Sequence, residues 1–450
     1  MRWNNSHRWR HVRWLALLIL AGCPASSQGP VREQAPEDEP AIRSAPHVRA
    51  AASDWPWWRG GQGNGQAATG VNFDPAQLGE HLRWQTKVPG HGHASPIIWG
   101  HQIFVATADE AAQTQSLLCY DRRDGRQLWQ TQLHQGPFLK KHAKNSYASA
   151  TPACDGQHVF CVTMAQKGAQ KGLYATAVDL RGKIVWQERL GDYPSKHGYG
   201  SSPVLYKSLV IVAGEPRGPG YLVAMERTSG RVVWRKRRFQ SDSYGTPVIA
   251  QIGGRDQLLL TGQKQIISYD PASGRPWWNC SGISAVCANT MVWHHDLVLG
   301  STGYPDNVLM CVRADGSGDV TASHVVWQKN YRMYVPSAVV VDNLFLIVRD
   351  DGVALALEPE SGKKVWEKRL GGNFSASPTA AGQLVFVPNE EGRLFVLTAD
   401  APFRVVATHD LEEALFASPV VCEGQLFLRG EKNLSCFGAP PASTPSPADG

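Results

Sequence analysis

The chain has 450 residues, a formal net charge of +6 at pH 7 and only 19% charged residues, and it contains 44 Gly, 29 Pro and 16 Trp. Many turn-forming residues with few charges favour an all-β protein over a helical one. The positive charge is spread along the chain, without the clustered basic and aromatic residues of nucleic-acid-binding proteins. The composition therefore predicts no nucleic-acid partner.

The first 22 residues predict a signal peptide of the lipoprotein type. Four arginines between residues 2 and 13 precede an apolar run at residues 14–21, which is too short to span a bilayer as a helix. The run leads into Leu-Ala-Gly-Cys, which resembles the lipobox of bacterial lipoproteins. That resemblance implies acylation of Cys23 and an outer-membrane lipoprotein that faces the periplasm, with a cell-surface or secreted protein as alternatives.

Residues 23–53 are rich in Pro, Ala, Ser and Glu and have almost no apolar bulk, so they are predicted to form a disordered tether. Residues 439–450 have the same composition and are predicted to be a disordered tail. The folded part is expected at residues 54–438. It opens with a Trp-rich segment at residues 54–60, Asp-Trp-Pro-Trp-Trp-Arg-Gly, whose role the sequence leaves open.

A sequence unit recurs through the folded part. It begins with Ser/Thr-Pro, continues through short apolar strands, and ends in a turn Gly followed four residues later by Trp, as in Gly125 and Trp129. Successive units start 40 to 56 residues apart, which is typical of propeller blades. The proline of the unit lies at Pro96, Pro152, Pro203, Pro247, Pro378 and Pro419, and Thr290 and Ala338 are predicted to take its place in the other two units.

The two ends of the repeat array predict how the ring closes. The last unit stops at Phe437 after three strands, whereas an additional strand with Trp84 precedes the first unit at residues 82–88. We therefore predict that this N-terminal strand completes the last blade. The result is an all-β, eight-bladed propeller without a free sheet edge at the junction.

These repeats resemble the PQQ-like, tryptophan-docking propeller family, which includes the outer-membrane assembly lipoprotein BamB and the quinoprotein alcohol dehydrogenases. The resemblance covers residues 84–437. It implies that the repeat tryptophans dock on a neighbouring blade and are structural; the seventh unit lacks its Trp, near Ala407. The predicted docking residues are Trp84, Trp129, Trp186, Trp234, Trp278, Trp327 and Trp366.

Three functions are compatible with this resemblance. The favoured one is a noncatalytic, monomeric binding or scaffold protein with envelope-protein partners, as BamB is. The alternatives are a quinoprotein alcohol or sugar dehydrogenase, which requires PQQ with Ca²⁺, and a propeller that binds a carbohydrate or a small anion. No two cysteines are adjacent and no acidic cluster is recognised at equivalent channel positions, so no cofactor is expected. Disulfides between Cys154 and Cys161, or between Cys280 and Cys287, stay open.

Loop lengths indicate where a ligand binds. The interval from Trp to the next Pro position is usually eleven or twelve residues, but it is 23 after Trp129 and 17 after Trp186. Insertions on one face of a repeat protein commonly carry function. Their basic and aromatic residues favour an anionic ligand or an acidic partner, and no metal is predicted because His91 and His93 lack a third ligand. The candidate binding residues are His91, His93, Phe138, Lys140, Lys141, His142, Lys144, Asn145, Tyr147, Lys196, His197, Tyr199 and Arg217.

Overall fold

The computed structural model describes residues 37–238 and 243–439, which contain eight sheets. A short helix α1 (Glu39–Ser44) and a 3₁₀ helix (Pro75–His81) precede strand β1 (Leu82–Lys87). Blade 1 contains β2 (Ile97–Trp99), β3 (Gln102–Asp109), β4 (Thr114–Asp121) and β5 (Gln127–Gln135). Blade 2 contains β6 (Ala153–Cys154), β7 (His158–Lys167), β8 (Gln170–Asp179) and β9 (Ile184–Gly191). Blade 3 contains β10 (Val204–Tyr206), β11 (Leu209–Gly214), β12 (Gly220–Glu226) and β13 (Val232–Arg238).

The remaining blades follow the same plan. Blade 4 contains β14 (Val248–Ile252), β15 (Arg255–Gly262), β16 (Gln265–Tyr269) and β17 (Pro276–Ser281), and blade 5 contains β18 (Val292–His294), β19 (Leu297–Thr302) and β20 (Val308–Arg313) with β22 (Val325–Lys329). Between them in sequence, β21 (Gly318–Asp319) adds to β17 in parallel as a fifth strand of blade 4. Blade 6 contains β23 (Val339–Val341), β24 (Leu344–Val348), β25 (Val353–Leu357) and β26 (Lys364–Arg369). Blade 7 contains β27 (Thr379–Ala381), β28 (Leu384–Pro388), β29 (Arg393–Thr398) and β30 (Val405–Asp410).

Blade 8 confirms the predicted closure of the ring. It contains β31 (Val420–Cys422), β32 (Gln425–Arg429) and β33 (Asn433–Phe437), and its outer strand is β1, which pairs antiparallel with β33. The structure is thus the eight-bladed propeller that the repeats predict. Because β1 covers the edge of β33, the first and last parts of the repeat array hold each other in place.

A ring of hydroxyl groups joins the innermost ends of the blades. We call the residues Ser95, Thr151, Ser202, Thr246, Thr290, Ser337, Ser377 and Ser418 the hydroxyl ring. In seven links of this ring, the backbone amide of one residue donates to the side-chain oxygen of the next blade's residue at 2.9–3.0 Å. Thr290 therefore occupies the Ser/Thr position of the unit and not the Pro position assigned to it from sequence.

The repeat tryptophans lie between blades. In five of them the indole Nε1 donates to a backbone carbonyl in the turn of the next blade, at 2.7–3.2 Å. A Cβ atom on the turn glycine of that blade would lie 2.5–2.9 Å from the indole, which explains the Gly of the repeat. The tryptophans of this group are Trp84, Trp129, Trp186, Trp234 and Trp327.

Two tryptophans differ from these five in the partner that they contact. Trp278 donates to the Gln257 side chain of its own blade at 2.8 Å, and β21 packs beside it where the next blade's turn would lie. Trp366 contacts Phe403, with ring centroids 5.3 Å apart, because the seventh blade has a Pro-Phe turn in place of the turn Gly.

The eight described cysteines are buried free thiols, including both candidate pairs. Burial raises the pKa of each of them, to about 12 for Cys119 and Cys436. Cys119 faces Trp129 and Cys436 faces Trp84 across the strand pairs, where other blades have Ala or Ser. These cysteines therefore act as small packing residues beneath the indole rings.

A short helix lies within the range 23–53, which the sequence predicts to be a disordered tether. Residues 1–36, which include Cys23, and 440–450 lie outside the described residues, but α1 packs on the propeller and Ile42 is buried in its core. Arg43 pairs with the buried carboxylate of Asp270, and Arg275 pairs with Glu39 at 2.8 Å. The composition did not predict this helix, because one apolar side chain and a few ion pairs with distant residues suffice to hold it. No described helix has the length and apolar character needed to cross a membrane.

Candidate functional site

A pocket of about 650 Å³ lies on the propeller axis. It opens on the face where the connections between blades emerge together with the hairpins between the second and third strands of each blade; we call this the pocket face. Six members of the hydroxyl ring line the pocket. Its volume lies within the range of small-molecule sites, so the axis is a concave site rather than a filled core.

The Trp-rich segment at residues 54–60 forms part of the pocket floor. Trp55 exchanges backbone hydrogen bonds with Ile98 in blade 1, and Trp58 then donates through Nε1 to Thr290 in blade 5 at 2.9 Å. The chain leaves across blade 7, where Ala380 bonds the backbone on both sides of Gln66. Since blades 1 and 5 are opposite in an eight-membered ring, this segment crosses the axis and closes the lower end of the pocket.

Arg59 fixes the crossing segment from below. Its guanidinium donates to the carbonyls of Asn64 and Ala338, and burial lowers its pKa to about 9. A Cβ at Gly65 would lie 2.5 Å from the Arg59 guanidinium, and Gly65 has φ +80°. The glycine is therefore required for this turn, in a segment whose role the repeat pattern does not reveal.

The long loops of the first three blades pack against one another. The His142 amide donates to the His197 carbonyl at 3.2 Å, and the Asn145 side chain donates to the same carbonyl at 2.7 Å. His142, Asn145 and His197 line the pocket. Lys144 extends to blade 7, where its Nζ lies 3.2 Å from the Glu390 carboxylate. The two insertions thus form one wall of the pocket and a contact across its mouth.

The opposite wall is acidic, and sequence analysis missed it. Asp350 and Asp351 in blade 6 and Glu390 in blade 7 line the pocket from the same hairpin of consecutive blades, and Glu431 occupies the equivalent hairpin of blade 8. The expectation that no acidic cluster occurs at equivalent channel positions was wrong. Comparison of Arg-Asp-Asp-Gly at 349–352 with Asn-Glu-Glu-Gly at 389–392 contains the signal that was overlooked.

Two backbone amides orient the Asp350 carboxylate. Its carboxylate accepts the amides of Tyr334 at 2.8 Å and Val335 at 3.2 Å, and Arg332 lies 3.9 Å away. Burial raises the pKa of Asp350, against the lowering effect of these amides and of Arg332. The site therefore contains a carboxylate that is oriented by backbone donors and only partly exposed to water.

His93 is a neutral part of the wall. Its ring stacks on Phe416 with centroids 4.2 Å apart, and burial, helped by His91, Arg429 and Lys141, lowers its pKa to about 3. His91 lies outside the pocket, 3.6 Å from Glu431. Among the described residues, no group of three His, Cys, Asp or Glu side chains is arranged to hold a metal ion.

The other predicted binding residues fall into a supporting group and an exposed group. The rings of Phe138 and Tyr147 pack against each other at a tilt, with centroids 4.1 Å apart, and Lys141 covers Tyr147 and pairs with Glu110. Tyr199 is buried and donates to the Ala213 carbonyl at 3.2 Å. Exposed side chains on the same loops, outside the pocket, are those of Lys140, Lys196 and Arg217.

Comparison with known proteins places this propeller in a family. A family model described as "Outer membrane protein assembly factor BamB" matches residues 76–322, 319–402 and 351–439. The chain belongs to this family. Outer membrane protein assembly factor BamB of Yersinia pestis is 21% identical over 379 residues, which cover 79% of this chain and 87% of that protein.

Solved structures agree on the fold of this BamB-family chain. The crystal structure of BamB from Moraxella catarrhalis has a TM-score of 0.58 at 14% identity and covers 79% of this chain and 96% of its own. A europium-containing methanol dehydrogenase has a TM-score of 0.64 at 12% identity and covers 87% and 99%. At such identities the structural likeness shows the propeller fold alone.

The pocket of this BamB-family chain does not fit the metal-and-quinone site that the dehydrogenase alternative requires. Such a site needs several oxygen ligands around one ion and an unengaged carboxylate base. Here Glu390 is bonded by Lys144 and by the Ser375 hydroxyl, and Asp350 accepts two backbone amides. With no three suitable side chains converging in the described part of the chain, we derive no chemical step at this site.

Proposed function

We propose that this chain is a noncatalytic, exported binding or scaffold protein of the cell envelope. In this proposal, acylated Cys23 anchors it to the outer membrane on the periplasmic side. The basic loops of blades 1–3 bind an acidic surface of an envelope protein. Membership of the BamB family supports the envelope role. The observation that carries the binding role is a continuous, basic loop surface outside the pocket.

The surface consists of three loops that contact one another. The blade 1–2 and 2–3 connections share the hydrogen bonds to the His197 carbonyl, and a Cβ at Gly218 in the blade 3 hairpin would lie 3.4 Å from Pro194. Lys140, Lys196 and Arg217 lie one on each loop; we call these three side chains the outer rim. Each is exposed and has no ion-pair partner in the described ranges.

Unpaired charge distinguishes the outer rim from the basic residues beside it. Lys141 and Lys144 already have carboxylate partners, Glu110 and Glu390, so their charge is compensated within the propeller. Unpaired surface cations instead attract a complementary acidic surface and accelerate its association. The proposed partner is therefore an acidic protein surface, and its binding weakens as salt is added.

The test is a pull-down from the native envelope with the triple variant Lys140→Glu, Lys196→Glu, Arg217→Glu. The matched control is Arg181→Glu, Lys183→Glu, Arg404→Glu, which changes the same charge on exposed residues in turns between the third and fourth strands, on the face opposite the pocket. We expect the wild type and the control to retain the same envelope protein, and the outer-rim variant to lose it. Equal recovery by both variants would sink the proposed binding surface.

The anchor has a separate test. Cys23→Ala removes the thiol that lipid attachment requires, so the variant is expected in the periplasmic fraction while the wild type stays with the outer membrane. Cys23→Ser serves as the conservative companion. Persistent membrane association of both variants after a high-salt wash would refute lipid anchoring while leaving the outer-rim proposal to its own experiment.

A further inference from the structure

We propose that the axial pocket is a second binding site, which takes a neutral saccharide unit. This inference goes beyond the proposed envelope function, because it concerns a small ligand on the axis and not a protein on the outer rim. It rests on three observations: the charges around the pocket are mutually compensated, its remaining polar groups both donate and accept hydrogen bonds, and aromatic rings lie between them.

The charges of the pocket are paired before any ligand arrives. Glu390 pairs with Lys144 at 3.2 Å, Asp350 with Arg332 at 3.9 Å, and Asp351 with Arg349 at 2.5 Å. A charged ligand would have to compete with one of these partners and would leave the other ion less compensated. A neutral ligand avoids that cost, so the pocket favours an uncharged molecule although it is lined by ionic groups.

The hydroxyl ring supplies the donors. Thr151, Ser202, Ser337 and Ser377 each accept a backbone amide of the preceding blade through the side-chain oxygen. A hydroxyl that accepts one hydrogen bond still has its own proton to donate. The four residues line the pocket, so a ligand oxygen at the axis is the acceptor that we propose for these protons.

The acidic wall supplies the acceptors. A carboxylate offers about four acceptor positions, and the protein uses two on Asp350 and two on Glu390. The remaining positions need donors from the ligand. Since the hydroxyl ring donates and this wall accepts, the best-matched ligand group is one that does both. The hydroxyl group has that property.

The walls also contain flat apolar surfaces. Trp58 lies in the floor, Phe416 stacks on neutral His93, and Tyr334 lies beside the acidic wall. Aromatic faces pack against apolar C–H surfaces, while the edges of the same ligand hydrogen-bond to polar groups. A pyranose ring has this arrangement of C–H faces and hydroxyl edges.

The closed floor limits the size of the ligand. Residues 54–67 cross the axis, so an extended polymer cannot pass through the propeller. The pocket admits a compact molecule or the end of a chain. A peptide also donates and accepts hydrogen bonds, but each extended residue needs about 3.3 Å of path, which the closed end does not provide beyond a few residues.

The proposal is tested with the purified folded chain, by isothermal titration and ligand-observed NMR. The neutral probes are maltose, lactose and chitobiose; glucuronate is the anionic probe and trialanine the peptide probe. We expect at least one neutral disaccharide to bind more tightly than glucuronate and trialanine. Phe416→Ala should weaken it by about tenfold through loss of the aromatic wall, and Phe416→Trp should restore binding.

The control is Tyr304→Ala, which removes an exposed aromatic side chain outside the pocket and is expected to leave saccharide affinity unchanged. Thermal midpoints of all variants check that the propeller is folded. Preference for glucuronate or for trialanine, absence of binding by all neutral probes, or an unchanged affinity of Phe416→Ala would each overturn the proposal. We expect Phe416→Ala to retain the envelope protein in the pull-down, so failure of the saccharide site and failure of the outer rim are distinguishable.

Discussion

The side of the pocket formed by blades 1–3 and the side formed by blades 6 and 7 are built differently. The first side uses long insertions that pack on one another through the His197 carbonyl. The second side keeps the standard short hairpins and changes only the side chains, to Asp350, Asp351 and Glu390. Loop length therefore locates an added surface, whereas chemistry introduced by substitution within an unchanged hairpin escapes a search based on length.

The largest expected effect on stability tests whether the same Trp–Gly packing supports both sides of the pocket. Gly182 in blade 2 and Gly362 in blade 6 have positive φ, and a Cβ would lie 2.9 Å and 2.6 Å from the indole that docks there. We expect Gly182→Ala and Gly362→Ala to lower the free energy of unfolding by similar amounts, about 2–4 kcal/mol each, because strain and overpacking add. Urea unfolding measures both.

Gly254→Ala is the matched control for this pair. Gly254 also has positive φ, +74°, but a Cβ added there would have no atom within 4 Å, so the variant isolates the backbone strain. It should cost about 1 kcal/mol. If Gly182→Ala lowered the free energy of unfolding strongly and Gly362→Ala no more than this control, the two sides would differ in how their blades pack and not only in their pocket residues.

An intermediate effect concerns His93 on the long-loop side. Its folded pKa of about 3 lies below the ordinary value of 6.5, so the unfolded chain binds the additional proton between these values. The stability contribution is complete above pH 6.5 and is lost as the pH falls toward 3. His93→Phe should reduce the pH dependence of the unfolding free energy by up to about 1.4 kcal/mol per pH unit in this window.

Urea midpoints at pH 7, 6 and 5 check the His93 prediction. The control is His101→Phe, which replaces an exposed histidine in a blade 1 turn. A pH dependence that is the same in His93→Phe and the wild type would show that the imidazole is not held neutral against the Phe416 ring.

The smallest effect concerns the Lys144–Glu390 contact that joins the two sides. Lys144 is largely exposed, so the pair should contribute less than about 1 kcal/mol to stability and weaken with salt. A double-mutant cycle with Lys144→Met and Glu390→Gln measures the coupling. A coupling energy well above this value, unaffected by salt, would mean that the ion pair holds the two sides of the pocket together strongly.

Sequence patterns predicted the repetitive part of the molecule well. The turn Gly and its Trp recur because the indole of one blade rests where a Cβ of the next would clash. The three strands of the last unit and the single strand before the first unit predicted the closure by β1. Contacts between segments far apart in sequence were not predictable in this way. Trp58 reaches Thr290, and Arg43 reaches Asp270, through single side chains that leave no periodic signal.

Sequence analysis pointed to only one of the two walls of the pocket, the one formed by the long loops. The insertions pointed to His142, Lys144, Asn145 and His197, which do line the pocket, but the same pattern grouped them with Lys140, Lys196 and Arg217, which lie outside it. Among the lysines of this set, Lys144 pairs with Glu390 of another blade, whereas Lys140 and Lys196 are exposed on the outer rim. Whether a lysine has a carboxylate partner depends on a loop crossing to another blade, and a count of basic residues in a loop does not contain that information.

Site-specific photo-crosslinking in intact cells tests the central claim most directly. A photoreactive amino acid replaces Arg217 on the outer rim, and in a separate strain it replaces Lys183 on the opposite face. We predict a crosslink from position 217 to one envelope protein, weakened by added salt in isolated envelopes, and none to that protein from position 183. Equal crosslinking from both positions, or crosslinking from position 183 alone, would contradict the assignment of the long-loop side as the binding surface.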